Sequence, residues 1–397
     1  MTTDEIMARS SAHELGVYAR QPVAFVRGRG CELWDAEGKR YLDFFAGLAV
    51  NNLGHCHPAV VEAIQTQAAT LLHTSNLYYT PPVGELAELL CRHSFADRAF
   101  LCNSGAEANE AAMKLARRWG ADAGGGRFEI LATTGSFHGR TFGTLTATGQ
   151  EKYQRGFLPL LPGIRLVPFD DPAAAEAAIR DETIAIMVEP IQGEGGVVTP
   201  RSDYLAKLRD LCDRRKLLLI LDEIQVGLGR TGKLFAYEHA GIVPDVMSLA
   251  KALGGGVPIG AMLTTQKIAD VMTPGSHGTT FGGNPVACAA AVAAVRAMAE
   301  PSLLANVEER GVQLQRGLEA LATRHACIKE VRGLGLIIGA VLDRPGQPVV
   351  ERCRETGLLI NCTAERVLRF LPPLVVTAAE VDEALGVLDR ALLAVAS

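Results

Sequence analysis

LLLILDEIQVGLGRTG (Leu217–Gly232), with SLAKALGGG (Ser248–Gly256) shortly after it, decides the fold. Leu217 to Leu221 is a short, wholly apolar run that reads as a buried strand, and Asp222 and Glu223 emerge at its carboxyl end, where open α/β sheets gather their ligands. A buried acid at that position needs a positive partner. Asp245-Val-Met-Ser-Leu-Ala reads as a second short strand that delivers Lys251 into a glycine-rich turn, so the acid and the lysine can meet over one ligand.

Each residue type has a chemical reason to be there. A lysine that attacks a carbonyl must be neutral, which burial and nearby cations favour, and Gly254 to Gly256 allow the backbone to approach a bulky group closely. A carboxylate facing a pyridine nitrogen keeps it protonated, and the ring then accepts the electron pair left by a departing proton.

Working outward, Ala99-Phe-Leu-Cys-Asn-Ser-Gly-Ala reads as a strand, a turn and the start of a helix with apolar positions at Ala108, Ala111, Ala112, Leu115 and Trp119. Ser104 or Asn103 can cap it, and the free N–H groups at Gly105 and Ala106 form an anion site. Phe128 to Thr141 is a further strand, running into a loop that holds Phe137, His138 and Arg140; the aromatic can stack on a flat ring and the arginine can grip a carboxylate. Thr183-Ile-Ala-Ile-Met-Val reads as another apolar strand, ending near Glu189 and Glu194, and His277-Gly-Thr-Thr-Phe-Gly-Gly offers the hydroxyls of Thr279 and Thr280 between glycines. Taken alone, these residues support an anion site, an acid and a lysine; His138 reads either as a hydrogen-bond partner behind the site or as a loop residue, the second preferred.

The arrangement resembles the class III, or ω-amino acid, aminotransferases of the fold type I pyridoxal phosphate enzymes, from about residue 20 to about residue 390. GLAVNNLGHCHP (Gly47–Pro58) and LRFLPPL (Leu368–Leu374) are similar to landmarks of that family. The resemblance implies pyridoxal 5'-phosphate as cofactor, its phosphate on Ser104, Gly105, Ala106 and, from a neighbouring subunit, Thr280. It implies Phe137 against the ring, Asp222 at the ring nitrogen, Gln225 near the phenolic oxygen, and Lys251 as the covalent and proton-carrying lysine. Arg140 and Thr279 are implied for substrate, with Glu194 and Arg369 as a pair that switches between ω-amino and α-keto acids.

Within the family, the compact chain, Thr279 and Gly47 favour the branch acting on N2-acetylornithine. The implied reaction moves its δ-amino group to 2-oxoglutarate, giving N-acetylglutamate 5-semialdehyde and glutamate, a step of arginine biosynthesis. Ornithine, N2-succinylornithine, N-succinyl-diaminopimelate and 4-aminobutyrate remain alternative donors. A racemase, aminomutase or decarboxylase on the same fold differs only in the fate of the electron pair once the bond to carbon has broken, and an inert binding protein is disfavoured by the intact Lys251 and Asp222.

Composition sets the outer limits. At 397 residues and 48% hydrophobic, the chain can bury a large core, and its strand and helix units indicate α/β: a large domain with a mostly parallel sheet plus a smaller α+β domain. Residues 57–292 are expected to form the large, cofactor-binding domain, and 1–56 with 293–397 the small one. A net charge of −5 without basic runs disfavours nucleic acid, and nine cysteines without a CxxC pair disfavour zinc ribbons and disulfide frameworks. No metal is expected, although His55-Cys56-His57 has the letters for one; Pro58 after it reads as a helix start. Gly227-Leu-Gly229-Arg-Thr-Gly232 fits a dinucleotide motif by letter only, since Asp222 and Glu223 separate it from the strand. With no signal-length apolar segment near the start and no run of about 18 apolar residues, a soluble, cytoplasmic chain with no membrane partner is expected; the resemblance, through Thr280 reaching the neighbouring subunit, implies a homodimer with shared active sites.

Overall fold

Strands covered on both faces lose the alternation of a half-exposed sheet, and every residue of Glu129–Thr133, Thr183–Val188, Leu218–Asp222, Val246–Leu249 and Gly260–Thr264 is buried. In the computed structural model, which describes residues 1–396, these strands form the centre of a seven-stranded sheet. Its order is 98–102, 260–264, 246–249, 218–222, 183–188, 129–133 and 164–167. Only Gly260–Thr264 runs against its neighbours, pairing antiparallel with both Arg98–Cys102 and Val246–Leu249; the other pairings are parallel. The mostly parallel sheet expected from the sequence is therefore present.

Parallel strands need crossovers, and helices supply them on both faces. Gly105–Asp122 buries Ala108, Ala111, Ala112 and Leu115, the expected apolar face, while Trp119 stays half-buried. The alanine-rich Pro285–Met298 packs nine buried residues on the other side. The helix expected over Val307 to Leu321 is longer, Pro301–Arg324, because Pro301 takes a first-turn position where its missing N–H costs nothing.

The two ends of the chain come together. Phe25–Arg29, Glu32–Asp35 and Arg40–Asp43 form an antiparallel meander whose fourth strand, parallel to Arg40–Asp43, is Leu358–Leu359. The Asp35 to Lys39 turn is tied by Asp35 Oδ1, which accepts from the Glu37 and Lys39 N–H groups at 3.1 and 2.8 Å. A third sheet holds Ile328–Leu334, Ile337–Leu342, Val367–Phe370 and Asn361–Thr363. One apolar cluster joins Cys31, Leu42 and Phe44 to Val307, Leu314, Ile338, Phe370 and Leu388 across this part of the molecule. Among the described residues, no single helix is long and apolar enough to cross a membrane.

Candidate active site

The chemistry-bearing residues sit immediately past the carboxyl ends of parallel strands. Cys102 ends one strand and Ser104 follows as N-cap, its Oγ accepting the Glu107 N–H at 3.2 Å. Glu107 turns back to take the Asn103 N–H at 2.6 Å. The first-turn N–H groups of Gly105 and Ala106 have no carbonyl within the helix to bind, and so point their positive end outward. A Cβ at Gly105 would stand 2.8 Å from Ile224 Cδ1, so a side chain here would force Ile224 to shift.

Asp222 ends the central strand and is 4% exposed. Its Oδ1 accepts the Ile224 N–H at 3.0 Å; Oδ2 takes Asn109 Nδ2 and His138 Nδ1, each at 2.7 Å. Lys251 begins the short turn after Val246–Leu249 with φ 45°, a left-handed conformation that costs a side-chain-bearing residue about 1–2 kcal/mol. Burial pushes the Lys251 amine below its ordinary value and the Arg369 charge adds to that, against the pull of Glu194, Asp222 and Glu189. Nearby Glu189 is driven well above the usual carboxylate range, by burial and then by the Asp222 charge, while its Oε2 accepts the Phe137 N–H at 3.3 Å.

One cavity of about 450 Å³ collects Ser104, Gly105, Ala106, Phe137, Arg140, Glu194, Asp222, Gln225 and Lys251. Arg140 lies 4.0 Å over the Tyr153 ring and 5.4 Å over Phe137, and Phe137 meets Tyr153 edge-on. At the cavity wall Glu194 Oε1 accepts Arg369 NH1 at 2.6 Å, and Gln225 Oε1 accepts the same nitrogen at 3.2 Å. Burial raises the Glu194 carboxyl, but Arg369 and Lys251 outweigh it and hold the group below the usual range.

Two residues expected from the sequence are elsewhere in this chain. Thr280 lines a separate concavity with Asn76, Tyr78 and Tyr79, and the Thr279 hydroxyl is occupied by Asn103 Nδ2 at 3.1 Å and the Gly282 N–H at 3.2 Å. In the other direction, Asp222 has two partners, of which the sequence reading passed over Asn109 and preferred the loop alternative for His138. His138 is no mere loop residue: it is 2% exposed and bonded to the acid, and Asn109 Nδ2 bridges its carbonyl to the same carboxylate. Asn109 is fully buried among the alanines of its helix, and nothing local in the sequence names the acid it meets.

His55 Nε2 contacts Asp43 Oδ2 at 2.7 Å and His57 precedes the helix Pro58–Thr70, so the two histidines face different surroundings. The glycines after Gly227 surround Arg230, which is fully buried and donates to the carbonyls of Leu336 and Pro372. They join two parts of the chain rather than opening a helix.

Comparison with known proteins agrees with this geometry. The family model for class-III aminotransferases matches residues 16–392. The acetylornithine aminotransferase of Methanocaldococcus jannaschii is 53% identical over 383 residues, 95% of each chain, and that of Gloeobacter violaceus is 52% identical over 95% of each. Among solved structures, the Toxoplasma gondii ornithine aminotransferase superposes with a TM-score of 0.97 at 36% identity, covering 100% of this chain and 96% of that one. The N-acetylornithine aminotransferase of Stenotrophomonas maltophilia gives 0.85 at 41% identity, covering 98% and 99%. With the match spanning nearly every residue and the strand-end acid and lysine in one cavity, the chain belongs to the class-III aminotransferases.

Proposed function

We propose that this aminotransferase moves the δ-amino group of N2-acetylornithine to 2-oxoglutarate, giving N-acetylglutamate 5-semialdehyde and glutamate. The amino group and the carbonyl oxygen change places, so no outside oxidant is required. Support for the donor comes from relatives at about half identity over 95% of the chain, each named acetylornithine aminotransferase. The higher TM-score of the Toxoplasma ornithine enzyme favours ornithine as second reading, but that superposition comes with 36% identity and reflects a scaffold common to both.

The family's cofactor is pyridoxal 5'-phosphate, and the donor set fits it. A helix start with unsatisfied N–H groups suits a phosphate, buried Asp222, held by Asn109 and His138, suits a protonated ring nitrogen, and the cavity wall at Phe137 is aromatic. When bound, the cofactor supplies a carbonyl that receives and returns the amino group and a ring that spreads the electron pair left by proton loss.

In this reading Ser104, Gly105 and Ala106 hold the phosphate, with Thr280 of a second copy completing it, and Phe137 packs on the ring. Asp222 keeps the ring nitrogen protonated, its carboxylate fixed by Asn109 and His138, and Gln225 lies near the phenolic oxygen. Lys251, whose amine burial shifts toward the neutral form, would take the proton from the donor's δ carbon and pass it on to the cofactor that has received the amino group. Arg140 grips the donor's α-carboxylate, with Thr279 of the second copy beside it.

Glu194 and Arg369 answer a chemical mismatch between the substrates. The donor's reacting carbon carries no carboxylate, whereas that of 2-oxoglutarate does. Paired with Glu194, Arg369 is neutralised for the first; released, it receives the second.

Two copies of the chain form the working unit, a reading supported by the exposed Leu77, Tyr78, Tyr79 and Phe281 around the Thr280 concavity. We read residues 57–292 as the large domain and 1–56 with 293–397 as the small one, on the sheet and cluster that unite the chain ends.

Visible absorbance of the cofactor-loaded protein tests the whole assignment. Bleaching by N2-acetylornithine and recovery on adding 2-oxoglutarate are expected. Bleaching only by ornithine or 4-aminobutyrate would refute the donor.

A further inference from the structure

The Glu194–Arg369 pair is cradled by one very short strand. Asn361–Thr363 runs antiparallel to Val367–Phe370 with Asn361 opposite Arg369. Alternation along a strand sends Asn361 and Thr363 to the same face, and each holds one half of the pair. Thr363 Oγ1 donates to the Glu194 carbonyl at 2.6 Å, and Asn361 Oδ1 accepts Arg369 Nε at 3.1 Å.

The guanidinium is thus divided among its three nitrogens. Nε goes to Asn361 and NH1 to Glu194 and Gln225, while NH2 is buried with no hydrogen-bond partner. If Glu194 withdraws, the Nε bond is untouched. The NH1 and NH2 nitrogens then form the end-on fork that matches a carboxylate's two oxygens.

We propose that Asn361 is a specificity-determining positioning residue for the keto-acid half of the reaction: it fixes Arg369 through Nε while Glu194 lets go. This rests on the reading of Glu194 and Arg369 as an exchangeable pair. The amine-donor half keeps Arg369 tied by Glu194 and has no need of Asn361. Without the anchor, the freed guanidinium loses its fixed direction just when direction determines whether both carboxylate oxygens are met.

The test uses the cofactor-loaded enzyme and the variants Asn361→Leu, which matches the shape of asparagine but has no acceptor, and Asn361→Ser, which is smaller but leaves room for a water to act as one. The two half-reactions are followed separately by cofactor absorbance, and calorimetry measures binding of glutarate, an unreactive dicarboxylate. Asn361→Leu should weaken 2-oxoglutarate and glutarate by about tenfold or more, as expected for a lost hydrogen bond to a charged group, with the donor half-reaction within about twofold of wild type. Asn361→Ser should lose less than Asn361→Leu. The reverse order would mean that the side chain only fills space, and an equal fall in both half-reactions would mean general damage; either overturns the proposal.

Arg369→Leu separates the two levels of inference. If it leaves 2-oxoglutarate affinity intact, the exchangeable pair itself is wrong. If it weakens 2-oxoglutarate selectively while Asn361→Leu does not, only the role of Asn361 falls.

Discussion

Gly260 does not line the cavity, yet a single methyl there should disturb the proposed phosphate seat. Gly260 pairs with Cys102 in the sheet, and a Cβ built on it would lie 2.4 Å from the Ser104 carbonyl oxygen and 2.9 Å from both the Ser104 carbonyl carbon and Cys102 Sγ. Two of the three atoms are backbone and cannot rotate away. Reaching an ordinary contact requires a shift of about 1 Å, and the atom that must move is the acceptor of the first helical bond, from the Ala108 N–H at 3.0 Å. Overpacking of this kind costs roughly 1–3 kcal/mol of stability. Misdirecting one charge-assisted N–H bond to the phosphate costs a further 1.5–3 kcal/mol or so of binding.

Gly260→Ala should therefore bind pyridoxal phosphate roughly 10- to 150-fold more weakly. The assay is titration of the cofactor-free variant, with circular dichroism to verify the fold. Gly84→Ala is the control: this glycine has nothing within 4 Å of its Cβ position and lies inside the helix Pro81–His93, so alanine should stabilise the protein by about 0.4–1 kcal/mol and leave cofactor affinity unchanged. A folded Gly260→Ala protein that binds the cofactor within about twofold of wild type would refute the placement of the phosphate at this helix start.

Three further outcomes are expected. Lys251→Ala should abolish the visible band of the lysine-bound cofactor and stop turnover while melting no earlier than wild type, because a desolvated amine is removed; sustained multiple turnover in this variant would show that another group carries the proton. Arg140→Ala should raise KM for the amine donor roughly 10- to 150-fold, the equivalent of a charge-assisted pair worth about 1.5–3 kcal/mol, and an unchanged KM would move the carboxylate elsewhere. Glu194 is held below its ordinary 4.5, so its contribution to stability is complete above that pH and fades as pH falls through the lower folded value. The difference in Tm between wild type and Glu194→Gln should accordingly close on acidification, and a gap that stays constant into strong acid would contradict the ion pair.

The residues legible in the sequence were those whose position obeys local rules. A fully apolar run ending in an acid reads as a buried parallel strand with its ligand end marked, and Asp222 stands there; Ser104 before a helix-period segment reads as a cap, and it caps. Partnerships made across the fold left no local mark. His138 lies 84 positions from Asp222 and Asn109 lies 113, and neither spacing nor periodicity carries that contact. Asn361 and Thr363 look like an ordinary polar alternation on an edge strand until the fold brings Glu194 from 169 positions away. Arg369 had a landmark in LRFLPPL through the family likeness, but its complete burial beside Asn361 had no sequence signature.

The sheet that unites the chain ends imposes an order on synthesis. Arg40–Asp43 leaves the ribosome early but must wait for Leu358–Leu359, more than three hundred residues later, to gain its parallel neighbour. The seven strands of the central sheet all lie between residues 98 and 264, so that body can close while the meander still has a bare edge. A nascent chain in this interval has Ser104, Asp222 and Lys251 in its folded body while Arg369 is still to come. On the proposed assignment, the residues for the cofactor are placed before the one for the keto acid.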